Sequence, residues 1–464
     1  MLKKTCAFLL ALCLLLTVCG CDGGAGAESS PSPSPSRSSA PEASPASEET
    51  PAVQLSERAE NWAADISYLK RNYKMYHPDP FYLCSEEEFN WKLDQLVAKV
   101  DDLSDNDIYF ELAAIIAGMG DIHTAVVAPD SFYDREFPVL VRYLGDKPYL
   151  YGYLEGYGQF APYLLREIVA VNGVDITYLR EKAASFSDPF NSWRCKAYFS
   201  SSGFFIPAFF DWAGCDCKEG YTLQVLNENQ EVESIELPVI SSQEYMGADV
   251  VWPETWHEPF TFLSQESDRA DYLPGENGGC VYLYIGRMDV LHGKQFYQDL
   301  FGKTTELVKS HPDCVKLVID LRFNPGGAVV IADYIHEDLQ LLKELSIQQV
   351  FVITSGYTTS GGILCLSMFK EELGALHIGE PTGQFTSFFC HVTTPMILHL
   401  PQSQLAVCVA TDWWDGSAAA EEQYDENGRL YPWEYTVLPD VYIEQDIEDT
   451  RQGKDSVIEW VLAQ

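Results

Sequence analysis

Two apolar runs, each ending in a glycine-rich turn, constrain this chain more than any other feature. The first reads Val315-Lys-Leu-Val-Ile-Asp-Leu-Arg-Phe-Asn-Pro-Gly-Gly327. The second reads Val350-Phe-Val-Ile-Thr-Ser-Gly-Tyr-Thr-Thr-Ser-Gly-Gly362, continues through an apolar helical stretch to Gly374, and reaches a third turn, Ile378-Gly-Glu-Pro-Thr-Gly383. Short apolar runs bounded by turn signals are the pattern of strands buried on both faces. Strand and helix alternating through short loops predict an α/β sheet over residues 280–464, with its functional loops at the carboxyl ends of the strands. Together such turns can hold a nucleophile and the backbone amides that face it.

The N-terminus reads as a targeting segment. Lys3 and Lys4 precede an almost unbroken apolar run from Thr5 to Val18, too short to span a bilayer comfortably. Val18-Cys-Gly-Cys21 resembles a bacterial lipobox, which implies cleavage after Gly20, acylation of Cys21 and a lipid-anchored protein on the extracytoplasmic face of the cell membrane. Two or more acyl chains anchor stably, whereas one attaches only marginally. Residues 21–54, rich in Ser, Pro, Ala and Glu, bury too little to offset the entropy of ordering and read as a flexible tether.

Formal charge is -39 over 464 residues. That surface repels phosphate backbones, which argues against a nucleic-acid partner, and it lacks a polybasic membrane footprint. With 46% hydrophobic and 13% aromatic residues the chain can bury a sizeable core, enough for two or three domains. Nine cysteines follow Cys21, scattered and partly embedded in apolar strands, and read as small buried hydrophobes. Cys215-Asp-Cys217 has no partners at ligand spacing, so neither a metal nor another cofactor is expected.

Residues 55–128 predict a small helical bundle. Trp62, Ile66, Leu69 and Tyr73 share a helix face that His77-Pro-Asp-Pro80 ends. A second helix starts at Ser85, with Glu88 as its capping-box partner, and a third begins after Ser104-Asp-Asn and runs from Ile108 to Met119. Residues 129–242 alternate short strands and turns. Arg166 to Thr177 gives a strand, an Asn-Gly turn and a helix start, with later strands at Tyr221–Leu226 and Ile235–Ile240. Residues 243–279 form an irregular acidic connector that either lines the entrance to a site or wraps the core.

The ordered set Asp320-Leu-Arg-Phe-Asn-Pro-Gly-Gly327, Ser360-Gly-Gly362 and Gly379-Glu-Pro-Thr-Gly383 resembles the S41 serine peptidases, the C-terminal processing and tricorn-type proteases. The resemblance covers nearly all of the chain from Trp62 onward. It implies an α+β multidomain protein: an N-terminal helical bundle, a PDZ-like β module around the Asn172-Gly173 turn, and an S41 (ClpP/crotonase-like) α/β catalytic core. It also implies a peptide or protein substrate. The PDZ-like module either binds peptide tails by strand addition or serves only for packing.

Ser360, at the start of a helix, is the expected nucleophile, with the Gly361 amide facing the developing oxyanion. Gly327, with Gly326 as its alternate, is the expected second donor. The processing-protease branch carries a Lys in the third turn, but no lysine occurs between Lys370 and Lys454. The tricorn-like branch instead uses a His from a Gly-Asp-x-His-Thr turn, and His123 in Gly120-Asp-Ile-His-Thr124 matches it as general base. Glu434 lies nearest the place of that branch's orienting acid, with Asp121 as the competitor. The branch's further Ser is replaced by Ile122. The expected activity is that of a serine endopeptidase working through an acyl-enzyme. The alternatives are a non-catalytic ligand-binding protein and an esterase using the same residues.

Overall fold

The computed structural model describes residues 55–464, except 133, 201–202, 256–267, 290, 392–395 and 417–435. The expected leader, Cys21 and the tether, and also Glu434, lie outside the described residues.

A six-stranded sheet organises the C-terminal half. Its order is Val441–Tyr442, Leu376–Gly379, Gln349–Thr354, Cys314–Asp320, Gly279–Tyr284, Arg269–Leu273; the last pair is antiparallel and the other four pairings are parallel. Successive side chains of a strand face opposite ways, and here both faces are covered. Val281, Leu283, Leu317, Ile319 and Val352 pack toward the helices Lys294–Ser310, Val329–Lys343 and Gly361–Leu373. Cys280, Tyr282, Val318, Phe351 and Ile353 pack toward Val457, Ile458 and Val461 of the helix Ser456–Ala463. Burial on both sides is why these strands read as continuous apolar runs rather than alternating ones.

The strands Cys314–Asp320, Gln349–Thr354 and Leu376–Gly379 lie side by side and parallel, so the three glycine-rich turns emerge at one edge. Asp320, 1% exposed, receives a fork from Arg322 Nε and Nη2 and a 2.6 Å bond from the Tyr282 hydroxyl. Arg322 Nη2 also lies 2.6 Å from Asp455, whose Oδ1 caps the helix Ser456–Ala463. Two carboxylates thus neutralise one buried guanidinium, which stays charged because each buried charge here is paired.

Toward the N-terminus, the helices Glu57–Tyr76, Glu86–Val97 and Asp105–Ala117 start at Ser56, Ser85 and Ser104, whose hydroxyls each accept an amide N–H. The reciprocal bond of a capping box is made at Ser104 and Asp107. At Ser85 it is not: the Glu88 carboxylate pairs with Lys92 at 2.8 Å instead. Between 137 and 240 the strand-rich expectation holds only at the two ends. Strands Val139–Leu144 and Lys147–Leu154 form one hairpin, and Ile168–Val171, Val174–Asp175, Tyr221–Leu226 and Val232–Leu237 form a four-stranded sheet. The helices Ile176–Ser187, Ser192–Tyr198 and Pro207–Trp212 fill the middle. The last two, seven and six residues long, are too short to show a helical repeat in the sequence. Asn172 and Gly173 both have positive φ, the geometry that Asn-Gly supplies in a two-residue hairpin turn.

Candidate active site

Ser360 sits between the strand Gln349–Thr354 and the helix Gly361–Leu373, at φ 50° and ψ -122°. A residue with a Cβ pays for that backbone geometry, about 1–3 kcal/mol, so the surrounding turns must hold it there. They do so at several points. Thr359 donates its N–H to the Asn324 carbonyl and its hydroxyl to the Pro325 carbonyl, while Asn324 Nδ2 reaches Ile285. Gly326, at φ 94°, packs so close that a Cβ on it would lie 2.7 Å from Ser360 Cβ and 2.6 Å from Gly361 N.

His123 reaches this turn from 237 residues away in the chain, with its Nε2 3.1 Å from Ser360 Oγ. Its ring stacks on Phe388 at 5.6 Å. Asp121 fixes the backbone of the turn: Oδ1 accepts the His123 N–H at 2.8 Å, and Oδ2 accepts from the Thr124 hydroxyl and from His77 Nε2. His77 Nδ1 accepts the Asp79 N–H, so the proton on this ring belongs on Nε2, pointing at Asp121. Burial pushes the Asp121 carboxyl up, but the His77 hydrogen bond, the two histidine rings and the Thr124 hydroxyl outweigh it and hold it below the usual range.

The structure therefore brings Ser360, His123, Gly361, Gly326, Gly327 and Asp121 to one place. Asp121, however, holds the His123 main chain rather than its ring: Oδ1 is 3.9 Å from Nδ1, beyond hydrogen-bond range. Two groups that the sequence did not single out lie at the ring: the Phe389 backbone hydrogen-bonds it, and Gln384 approaches Nδ1. Gln384 Oε1 accepts the Ser360 N–H at 2.6 Å, which fixes the amide orientation and turns Nε2 toward His123 Nδ1 at 3.4 Å. Gln384 thus touches both reacting residues.

The amides divide clearly. The Gly326 N–H is taken by Asn324 Oδ1 at 2.8 Å, and that of Ser360 by Gln384. Among the described residues the N–H groups of Gly327 and Gly361 have no protein acceptor. Burial, together with the positive charge of Arg194 and the neighbouring His391, pushes the His123 ring down to about 4 against the pull of Asp121, so it is neutral at pH 7. His391 Nε2 lies 3.1 Å from the His123 carbonyl and 3.3 Å from Cys408 Sγ. His77, Gln384 and His391 were missed because only the folded chain sets them beside His123; His77 had read merely as a helix stop. Among the described residues no cluster has the makings of a metal site.

No protein-family model matches the sequence, and neither does any curated protein. Solved structures do. Mature CPAF in complex with lactacystin aligns at a TM-score of 0.55 with 13% identity, over 88% of this chain and 98% of that one. Mature CPAF aligns at 0.53 and 13%, over 88% and 97%. The photosystem II D1 C-terminal processing protease aligns more loosely, at 0.39 and 12%, over 87% and 98%. With its three glycine-rich turns at one edge of a mixed α/β sheet and this likeness along most of its length, the chain has the fold of mature CPAF.

Proposed function

We propose that this protein is a serine endopeptidase that cleaves peptides or proteins through an acyl-enzyme on Ser360. The observation that carries the reading is the 3.1 Å approach of His123 Nε2 to Ser360 Oγ. A serine hydroxyl is a poor nucleophile until a neighbouring base takes its proton. A neutral imidazole in contact with it does so, then returns the proton to the leaving amine. The Gly327 and Gly361 amides stabilise the tetrahedral oxyanion, each worth ~10²–10³ in rate. Glu434 is proposed to accept a hydrogen bond from Nδ1–H, fixing the tautomer while Nε2 acts as base. By the same reading, Cys21 carries a lipid anchor that holds the enzyme at the extracytoplasmic face of the membrane, and a PDZ-like module spans residues 129–242.

The direct test is labelling of the purified protein by a fluorophosphonate, which reacts only with an activated serine. Wild type is expected to label and Ser360→Ala not to. Absence of labelling in both, with the protein folded, rejects the reading in favour of a binding protein.

Gln384 offers a sharper test of the geometry. A carboxylate in its place keeps an acceptor for the Ser360 N–H and adds one for His123 Nδ1. Gln384→Glu is therefore expected to move the acid limb of kcat/KM upward from about pH 4 by ~1–3 units, since a nearby negative charge favours the imidazolium. Gln384→Leu lowers the rate without moving the limb. An unmoved limb in the Glu variant would show that residue 384 does not face the ring.

A further inference from the structure

A second feature beside the site touches neither Ser360 nor the oxyanion amides, although the charge of Arg194 bears on His123. The helix Ser192–Tyr198 packs directly against the nucleophile loop, where a Cβ on Gly356 would lie 2.2 Å from the Trp193 carbonyl. From it Arg194 reaches into a cavity of about 100 Å³, walled mainly by Phe110, Phe132, Phe186, Phe204 and Ile206. The Arg194 side chain is 7% exposed. Its face is covered by Tyr198, 4.2 Å from the guanidinium carbon. Among the described residues its Nε and Nη1, both closed off from solvent, have no hydrogen-bond partner. The nearest carboxylate, Asp188, stays 3.8 Å from Nε and spends Oδ1 on the N–H groups of Phe190 and Asn191.

A buried guanidinium without acceptors costs several kcal/mol, far more than the same group properly paired. A guanidinium matches a carboxylate in charge and in its hydrogen-bond donors. The remaining walls are mostly aromatic and aliphatic, with Thr124, Ser187 and Cys408 among them, and the cavity approaches the ~150 Å³ that accepts a benzene ring in an engineered protein core. We propose that this cavity is a binding site for a carboxylate carried on a phenyl- or leucyl-sized apolar body, with Arg194 as its anion anchor. Ile122 and Thr124, on either side of His123 in the chain, line the same cavity, so its occupant sits next to the proposed base. The ligand is either a small free acid or the free end of a peptide. Its binding is independent of the reaction at Ser360.

The test uses the Ser360→Ala protein, in which binding is read without turnover, whether or not the enzyme proves to be a peptidase. Calorimetric titration with 3-phenylpropionate and with 3-phenylpropanamide is expected to show the acid binding at least tenfold tighter. Arg194→Met is expected to erase that preference. Ala113→Leu, which fills the cavity and leaves Arg194 in place, is expected to weaken the acid at least tenfold, and it covers the case in which the Arg194 variant fails to fold. Equal binding of acid and amide, a preference that survives Arg194→Met, or no binding of the acid at millimolar concentration would each overturn the proposal. Competition by a peptide ending in Phe as the free acid, but not as the amide, identifies the ligand's source as a peptide end; binding of 3-phenylpropionate without such competition identifies a free acid.

Discussion

His123→Ala is expected to lower kcat on a cleavable peptide by ~10⁵–10⁶, with KM little changed, because a general base contributes only once the serine proton is in motion. The expectation rests on the one contact that joins the two halves of the site, His123 Nε2 to Ser360 Oγ. Single-turnover kinetics on wild type and variant, with circular dichroism to show an intact fold, measures it. A residual rate ~10³–10⁴ above the uncatalysed reaction should survive from the oxyanion amides and substrate binding alone. The pH dependence follows from the same ring. It is held down to about 4 chiefly by burial, so the wild-type kcat/KM should stay level through neutral pH and fall only as pH drops through about 4, where the base takes up a proton. A loss of less than tenfold in the variant would mean that another group deprotonates Ser360.

Gly326→Ala is the second large effect, and a single methyl group causes it. At φ 94° an L-residue is strained, and the added Cβ would lie 2.6 Å from Gly361 N and 2.7 Å from Ser360 Cβ. Neither neighbour can yield without moving the nucleophile or the amide that faces the oxyanion. The rate of fluorophosphonate labelling should fall by at least ~10², the usual cost of losing one such donor. Gly374→Ala is the matched control. That glycine, at φ 63°, closes the same helix with nothing within 4 Å of a built Cβ, so its variant should lose about 1–2 kcal/mol of stability and keep its labelling rate. Equal loss of labelling in both would assign the effect to helix stability rather than to the approach at Gly326.

These outcomes depend on features of unequal legibility. The strands and turns from 315 to 384 were readable because burial on both faces leaves an apolar run with glycine punctuation, a signal local in the chain. The first two N-terminal helices were readable from their apolar stripes, the second also from its serine cap, and the third from the Ser104-Asp-Asn punctuation before it. The helices Ser192–Tyr198 and Pro207–Trp212 were not: each spans two turns at most, and aromatic packing rather than a repeat holds them, with Phe209 and Phe210 fully buried. The pairing of His123 with Ser360 came from family resemblance, since no spacing rule links residues 237 apart. Gln384 escaped notice because its significance lies in what its amide touches. Asp121 was weighed as a partner for the imidazole, yet its oxygens are committed to the His123 main chain, Thr124 and His77, a division that only geometry reveals.

The buried triplet of Asp320, Arg322 and Asp455 has a consequence for the order of events during synthesis. Arg322 stands at the root of the loop that carries Gly326 and Gly327, and one of its two counter-charges comes from the start of the helix Ser456–Ala463. Until the helix Ser456–Ala463 has been made, Arg322 has one of its two carboxylate partners and one face of the sheet lacks its cover. Completion of the turn that carries Gly326 and Gly327 is therefore tied to a segment far downstream in the chain, and loss of the Asp455 cap would loosen the oxyanion amides as well as the helix.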